Sequence, residues 1–342
     1  IGLFFSLVST SLIASDKLDT NSYFFFFKHL IFVIFGLFII FIFSYIDQKT
    51  LYNLSILIFL ISFVLLLLVP FIGVEVKGSK RWLDLFFLPR LQPVELVKPF
   101  FIIILALIIS NDKLSNFTLK FIFSFLVTSS IGMLLILQPD LGQTLLIGFS
   151  WITLIFISGI NLIFLFIITV AGLVLLTYIA LYVPKFEYIK NRLLSFFNSE
   201  GGTHNFQSDK ALDSITSGGF FGKGVGEGIL KNRVPEAHTD YIISVISEEF
   251  GVLAILLILI LFLTFIFSIF KKVDNEQDST AKLILVGSAS LILLQAIIHI
   301  GVNIRLFPTT GMTLPFLSYG GSSIISVSIL SGIILNLTKR KV

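Results

Sequence analysis

The chain has 342 residues, 56% of them hydrophobic and 13% charged, with a mean hydropathy of +1.02. A soluble domain carries about a quarter charged residues, so that class is excluded. Cysteine is absent, which excludes disulfides, Cys-ligated zinc, iron–sulfur clusters and thiol nucleophiles, and the net charge of +4 is too small to point to nucleic acid.

A helix needs about 20 apolar residues to cross a hydrocarbon core of about 30 Å. The runs that approach this length, in chain order, are Leu30 to Ile46, Leu51 to Ile72, Val94 to Ser110, Leu119 to Leu137, Leu141 to Gly159, Leu162 to Val183, Tyr241 to Phe270, Ala281 to Ile304 and Met312 to Leu337. A further run, Ile1 to Ala14, is short and reads as a trimmed span; no basic region precedes it to suggest a signal peptide. The expected fold is an all-α polytopic membrane protein of ten transmembrane helices, one domain over residues 1–342.

Ten spans put both termini on one side. Short loops and the tail on that side carry Lys49, Lys113, Lys120, Lys271, Lys272, Lys282, Lys339, Arg340 and Lys341. The opposite short loops carry fewer: Lys17, Lys77, Lys80, Arg81, Arg90 and Arg305. The bias favours cytoplasmic termini, so the long loop 184–240 between helices 7 and 8 is expected to be extracytoplasmic. Loops of that length are functional or disordered, and Phe206, Ile215, Phe220 and Phe221 offer apolar anchors that favour order.

Four constellations could carry chemistry. The first is Lys77-Gly-Ser-Lys80-Arg81-Trp82-Leu-Asp84 with Arg90-Leu-Gln92-Pro93-Val-Glu95-Leu-Val-Lys98. Pro93 suits a first helical turn, and Glu95 and Lys98 then share one face. Charges sinking into a membrane are expensive, so they should be paired and turned inward. The basic residues read either as interfacial anchors around Trp82 or as ligands of a lipid phosphate, with Lys80, Arg81 and Arg90 on the anion.

The second is Gln138-Pro139-Asp140-Leu-Gly142, a hairpin turn in which Asp140 is expected to cap the next helix. The third runs through Ser217-Gly218-Gly219 and Gly222-Lys223-Gly224-Val-Gly226-Glu227-Gly228 to Pro235-Glu236-Ala-His238-Thr239-Asp240. Neither dinucleotide nor Walker spacing is met, so these glycines read as turns and close backbone approaches. Asp240 is either a helix cap or a general base at the membrane surface. Glu248 and Glu249, further along the span, call for Lys or Arg partners. The fourth, from His299 through Asn303 and Arg305 to Leu314-Pro315-Phe-Leu-Ser318-Tyr319-Gly320-Gly321-Ser322-Ser323, predicts a broken helix at Pro315, Gly320 and Gly321.

Taken together, Lys80-Arg81-Trp82, Gln92-Pro93-x-Glu95, Gln138-Pro139-Asp140-Leu-Gly142, Pro235-Glu236-Ala-His238-Thr239-Asp240, Glu248-Glu249-x-Gly251 and the Leu314 to Ser323 block resemble the SEDS family (shape, elongation, division, sporulation), peptidoglycan glycosyltransferases of the FtsW/RodA type. The resemblance covers essentially the whole chain and leans toward the division branch, FtsW. Val94 stands where the family usually has Ser, and His299 and Arg305 where it commonly has Asn and Gly.

The resemblance implies polymerisation of lipid II, with Asp240 as the general base. It further implies Lys80, Arg81, Trp82, Arg90, Gln92, His238 and Ser318 on substrate, with Glu95, Lys98, Asp140, Glu248 and Glu249 in support. A divalent cation such as Mg2+ or Mn2+ could share the pyrophosphate charge. The implied partners are lipid II, undecaprenyl pyrophosphate lipids and a class B penicillin-binding protein, in the bacterial inner membrane and without nucleic acid. A lipid II flippase without transferase activity, or a scaffold for the transpeptidase, would fit the same spans.

Overall fold

The computed structural model of the chain describes residues 2–8, 23–76, 79–84, 89–114, 116–183, 187–197, 206–230 and 234–339. Of the basic residues named above, Lys17, Lys77, Arg340 and Lys341 lie outside these. Of the expected first span, residues 2–8 are described and helical.

The elements that follow are α1 (Phe24–Tyr45), α2 (Gln48–Ile72), β1 (Val74–Val76), β2 (Ser79–Trp82), α3 (Pro93–Ile109), α4 (Phe117–Leu137), α5 (Leu141–Ile157), α6 (Leu162–Tyr182), α7 (Glu187–Phe197), α8 (Phe206–Gly218), α9 (Ile242–Val273), α10 (Ser279–Asn303) and α11 (Gly321–Thr338). Among the described residues six helices, α1, α2, α4, α9, α10 and α11, have the length and composition to cross a membrane. The protein is thus a helical polytopic membrane protein.

It is not purely α. β1 and β2 pair antiparallel inside the loop after α2, in the register Val74↔Trp82, Glu75↔Lys80, Val76↔Ser79, with an irregularity between Val74 and Glu75. β-branched Val74 and Val76 suit a strand, and Glu75 faces Lys80 with opposite charge. Leu83 and Leu91 extend the ladder through two backbone bonds of 2.8 and 3.0 Å. A stretch this short carries too few residues for its alternation to stand out in the sequence.

The chain divides into two compact units. One comprises Phe38–Lys190, Phe267–Leu294 and Ile325–Val342. Its centre is α3, buried on nearly every side and apolar beyond Lys98, with Val97, Phe101, Ile102, Ile103, Leu105 and Ala106 fully buried. Helices α2, α4 and α5 pack around α3. Gly287 of α10 sits against Ile102 of α3 and Leu154 of α5, where a larger residue would collide. Asn336 of α11 donates to the carbonyls of Phe43 (2.9 Å) and Ile46 (2.5 Å), satisfying acceptors at and just beyond the C-terminal end of α1.

The other unit comprises Ile1–Leu37, Asn191–Ile266 and Gln295–Ile324. Here α8 lies on the first third of α9 through small residues, Ala211, Ser214 and Gly218, that let the backbones approach. A small core of Ala211, Val234, Ala237, Tyr241, Val245 and Val302 fills the angle. The ordering of the long loop therefore rests on small residues. Phe206, Phe220 and Phe221, expected as anchors, are exposed.

Two spans differ from their sequence reading. The run Met312 to Leu337 is helical only from Gly321, as Pro315 and the glycines foretold. The run Tyr241 to Phe270 is interrupted at Gly251, whose φ of 75° and ψ of −177° are open essentially to glycine alone.

Candidate active site

In the α3-centred unit, motifs far apart in sequence converge on one polar network. Asp140 caps α5 by accepting the Gln143 amide at 3.3 Å, as its place before the helix foretold. The same carboxylate takes Arg81 Nε at 3.6 Å and Gln92 Nε2 at 3.4 Å. Arg81 also donates to the carbonyls of Gln138, at 3.3 Å, and Pro139. One turn into α5, Gln143 donates to Glu95 Oε1 at 3.0 Å, and Glu95 pairs with Lys98 at 2.7 Å, both buried. Gln138 reaches the Leu66 carbonyl of α2 at 3.0 Å. The arrangement ties β2 and the starts of α3 and α5 together.

This geometry separates the basic residues by task. Arg81, 13% exposed at its side chain, directs its guanidinium to protein acceptors. Lys80 and Arg90 face solvent, Arg90 with a loose contact to Asp84 at 3.9 Å. Trp82 is half-buried on β2.

In the second unit, Asp240 ends the turn Glu236–Asp240. Its amide and that of Thr239 donate to the Glu236 carbonyl at 3.1 and 3.0 Å, and Glu236 adopts a positive φ of 55°. Two elements pin this turn from outside. Asn303, at the end of α10, donates to the Asp240 carbonyl at 3.1 Å and to His299 O at 2.9 Å. From the segment before α11, Ser318 Oγ donates to Thr239 O at 2.7 Å and accepts the Leu314 amide, while the Tyr319 amide donates to His238 O at 3.0 Å. The His238 ring packs against Phe25 and Tyr319 in a triangle of rings, with centroids at 5.2 and 5.9 Å from its own and 5.8 Å between the other two. Asp240 itself is half-buried. Burial, and then the Asp240 charge, push the adjacent Tyr241 hydroxyl up, with Arg192 acting in the opposite sense, so Tyr241 stays neutral beside the carboxylate.

Beyond Asp240, Glu248 is fully buried and satisfied by Ser214 Oγ at 2.8 Å, the Leu230 amide at 2.9 Å and Lys223 Nζ at 3.6 Å. The expected cationic partner therefore comes from the glycine-rich loop. That loop also repairs the interruption in α9. Lys223 and Gly224 amides donate to the carbonyls of Glu248 (2.8 Å) and Glu249 (3.0 Å), while Val252 and Leu253 amides donate to Gly219 O (3.0 Å) and Phe220 O (3.3 Å). These are the groups a broken helix leaves without intrahelical partners. Gly222 and Gly251 pass so close to the opposing backbone that no Cβ fits at either.

Sequence reasoning assigned no role to Asn303, Gln143, Lys223 or Ser214. Asn303 and Gln143, polar residues inside apolar runs, offered a signal; Lys223 and Ser214, in the polar long loop, offered none. Among the described residues no three His, Asp or Glu side chains converge to hold a metal, so no step is derived through a cation.

Residues 1–342 match the model of the FtsW, RodA and SpoVE cell cycle proteins. The probable peptidoglycan glycosyltransferase FtsW of Coxiella burnetii is 33% identical over 97% of this chain and 91% of its own. That of Buchnera aphidicola is 34% identical over 94% and 82%. Among solved structures, a chain of a peptidoglycan synthase complex that coordinates polymerization and crosslinking superposes with a TM-score of 0.79, at 25% identity over 98% of this chain and 96% of that one. RodA of Thermus thermophilus gives 0.68 at 24% identity, over 98% and 95%, a likeness of fold. With residues 1–342 matched by the family model and most of the chain by relatives of 33% and 34% identity, this chain belongs to the FtsW/RodA/SpoVE family of cell cycle proteins.

Proposed function

We propose that this protein is a peptidoglycan glycosyltransferase that polymerises lipid II, transferring the growing undecaprenyl-pyrophosphate-linked strand onto the next lipid II. The observation that carries the reading is the immobilised turn ending at Asp240, fixed by Asn303 from one element and by Ser318 and Tyr319 from another. Family membership and the names of the FtsW relatives support it. Those names also favour the division branch.

In this reading the acceptor GlcNAc 4-hydroxyl attacks the anomeric carbon of the donor MurNAc. The new glycosidic C–O bond forms as the bond to the pyrophosphate breaks. Asp240 takes the hydroxyl proton, and undecaprenyl pyrophosphate departs with the electron pair. A positioned general base contributes about 10²–10⁴-fold to such a step. Solvent-facing Lys80 and Arg90 serve as pyrophosphate ligands, with Trp82 and Gln92 beside them on β2 and at the start of α3. Arg81 acts as the strut that holds the hairpin, and His238 and Ser318 fix the turn of the base. Ten spans in a single domain, cytoplasmic termini, an extracytoplasmic long loop and a class B penicillin-binding protein as partner complete the proposal.

The protein purified in detergent, where no bilayer exists to flip across, should convert labelled lipid II to glycan strands. A preparation that binds lipid II without polymerising it in detergent, yet moves it across vesicle membranes, would replace this reading by the flippase.

A further inference from the structure

The glycine-rich loop after α8 carries Phe220, Phe221, Val225 and Ile229, exposed by 72, 83, 61 and 67%. None of them supports the loop, which is ordered through its backbone bonds to α9 and through Lys223 and Ser214 on Glu248. An apolar cluster this exposed on a polar loop has something to meet.

Its position says what. Residues 241–249 are buried, whereas beyond Gly251 the helix exposes Leu253, Leu256, Leu257 and Ile260. The portion after the break is the one that meets lipid, and it ends at Lys271 and Lys272, basic residues suited to a membrane boundary. From Lys271 back to Gly251 is about 20 residues, or about 30 Å of helix, which is the thickness of the hydrocarbon core. The break at Gly251 therefore falls at the opposite boundary. There the Leu253 amide bonds Phe220 O, which sets the exposed phenylalanines beside the start of the exposed stretch of α9. Lys223 and Glu227 on the same loop suit headgroup depth.

We propose that residues 219–229 form a membrane-inserted wedge, with Phe220 and Phe221 in the acyl region just below the headgroups and the backbone of the loop sealing the α9 interruption at the interface. Non-helical backbone at that depth is tolerated because its amides and carbonyls are taken up by α9. The partner is the lipid bilayer. The inference rests on the membrane-spanning reading of α9 and is independent of the polymerase reading.

The chain has no cysteine, so single thiols can be placed cleanly. Phe221→Cys, Asp213→Cys on exposed α8 and Leu261→Cys midway along the lipid-facing part of α9 would each carry a nitroxide, in full-length protein reconstituted into phosphatidylcholine–phosphatidylglycerol vesicles. Power saturation with oxygen, which partitions into lipid, and with a water-soluble nickel chelate gives the depth of each label. The wedge places the label at 221 between the two controls and closer in its oxygen-to-nickel ratio to position 261 than to 213. A ratio at 221 equal to that at 213 overturns it. Nickel access that is high in vesicles and falls only when the transpeptidase is added also overturns it, and marks a protein-docking surface instead. Elution of each labelled variant at the wild-type position on gel filtration establishes that the fold is intact.

Discussion

Glu95 and Lys98 form a pair at 2.7 Å that is almost wholly withdrawn from solvent, with Gln143 as an additional donor to Glu95. That these two charges would pair was readable from their spacing, because a charge in an apolar run is conspicuous and i,i+3 residues share a helix face. Their link through Gln143 and Asp140 to Arg81 was not readable, since it depends on how α5 and β2 meet α3. Removing one partner of a buried pair costs about 3–5 kcal/mol, while replacing both can be nearly neutral. Lys98→Met should therefore destabilise the protein sharply, and Glu95→Gln with Lys98→Met should recover most of the loss, because Gln keeps an acceptor for Gln143. Thermal unfolding of both variants in detergent checks this; equal losses would argue against a coupled pair. Arg81 makes the same point about limits. A basic motif beside a Trp announces anion binding, but only the fold reveals that this guanidinium answers to Gln138, Pro139 and Asp140.

At the scale of elements, most helix boundaries followed from apolar runs and turn residues, as with Asp140 before α5 and Gly321 at the start of α11. The interruption of α9 was hidden, since Gly251 sits inside a run that reads as one span, apolar after it and charged only at Glu248 and Glu249 before it, and its partner segment lies some thirty residues upstream in the loop. The excess length of the run, beyond the roughly 20 residues a span needs, was the overlooked signal. Gly251→Ala must adopt a conformation open essentially to glycine and drive a Cβ into Phe220 O and Gly222 N. The conformational strain alone is about 1–3 kcal/mol, so the melting temperature should fall. Gly148→Ala, in the helical interior of α5 with open space around it, should be neutral or gain up to about 1 kcal/mol. Parallel melting curves of the two variants test the contrast; similar shifts would mean that the α9 break is not a built feature.

At the scale of the whole molecule, scarcity of charge identified the membrane, and the few charges inside apolar runs marked the residues that the fold draws together. The small hairpin at β1 and β2 and the structure within the long loop escaped, one because it is short and the other because small residues, not large apolar ones, order it. The proposed sidedness, with cytoplasmic termini, is the one that the Lys and Arg distribution favours. With thiols introduced at Asp213 and Lys282, a membrane-impermeant maleimide should label position 213 in intact spheroplasts and position 282 only after permeabilisation. The reverse pattern would invert the topology and place Asp240 on the side opposite to the one proposed.

The account stands most directly on the carboxylate of Asp240. Purified Asp240→Asn, eluting and melting as the wild type does, should lose about 10²–10⁴-fold in the rate of glycan-strand formation from labelled lipid II, because the amide cannot take the acceptor's proton. Strand synthesis by that variant at the wild-type rate would contradict the account.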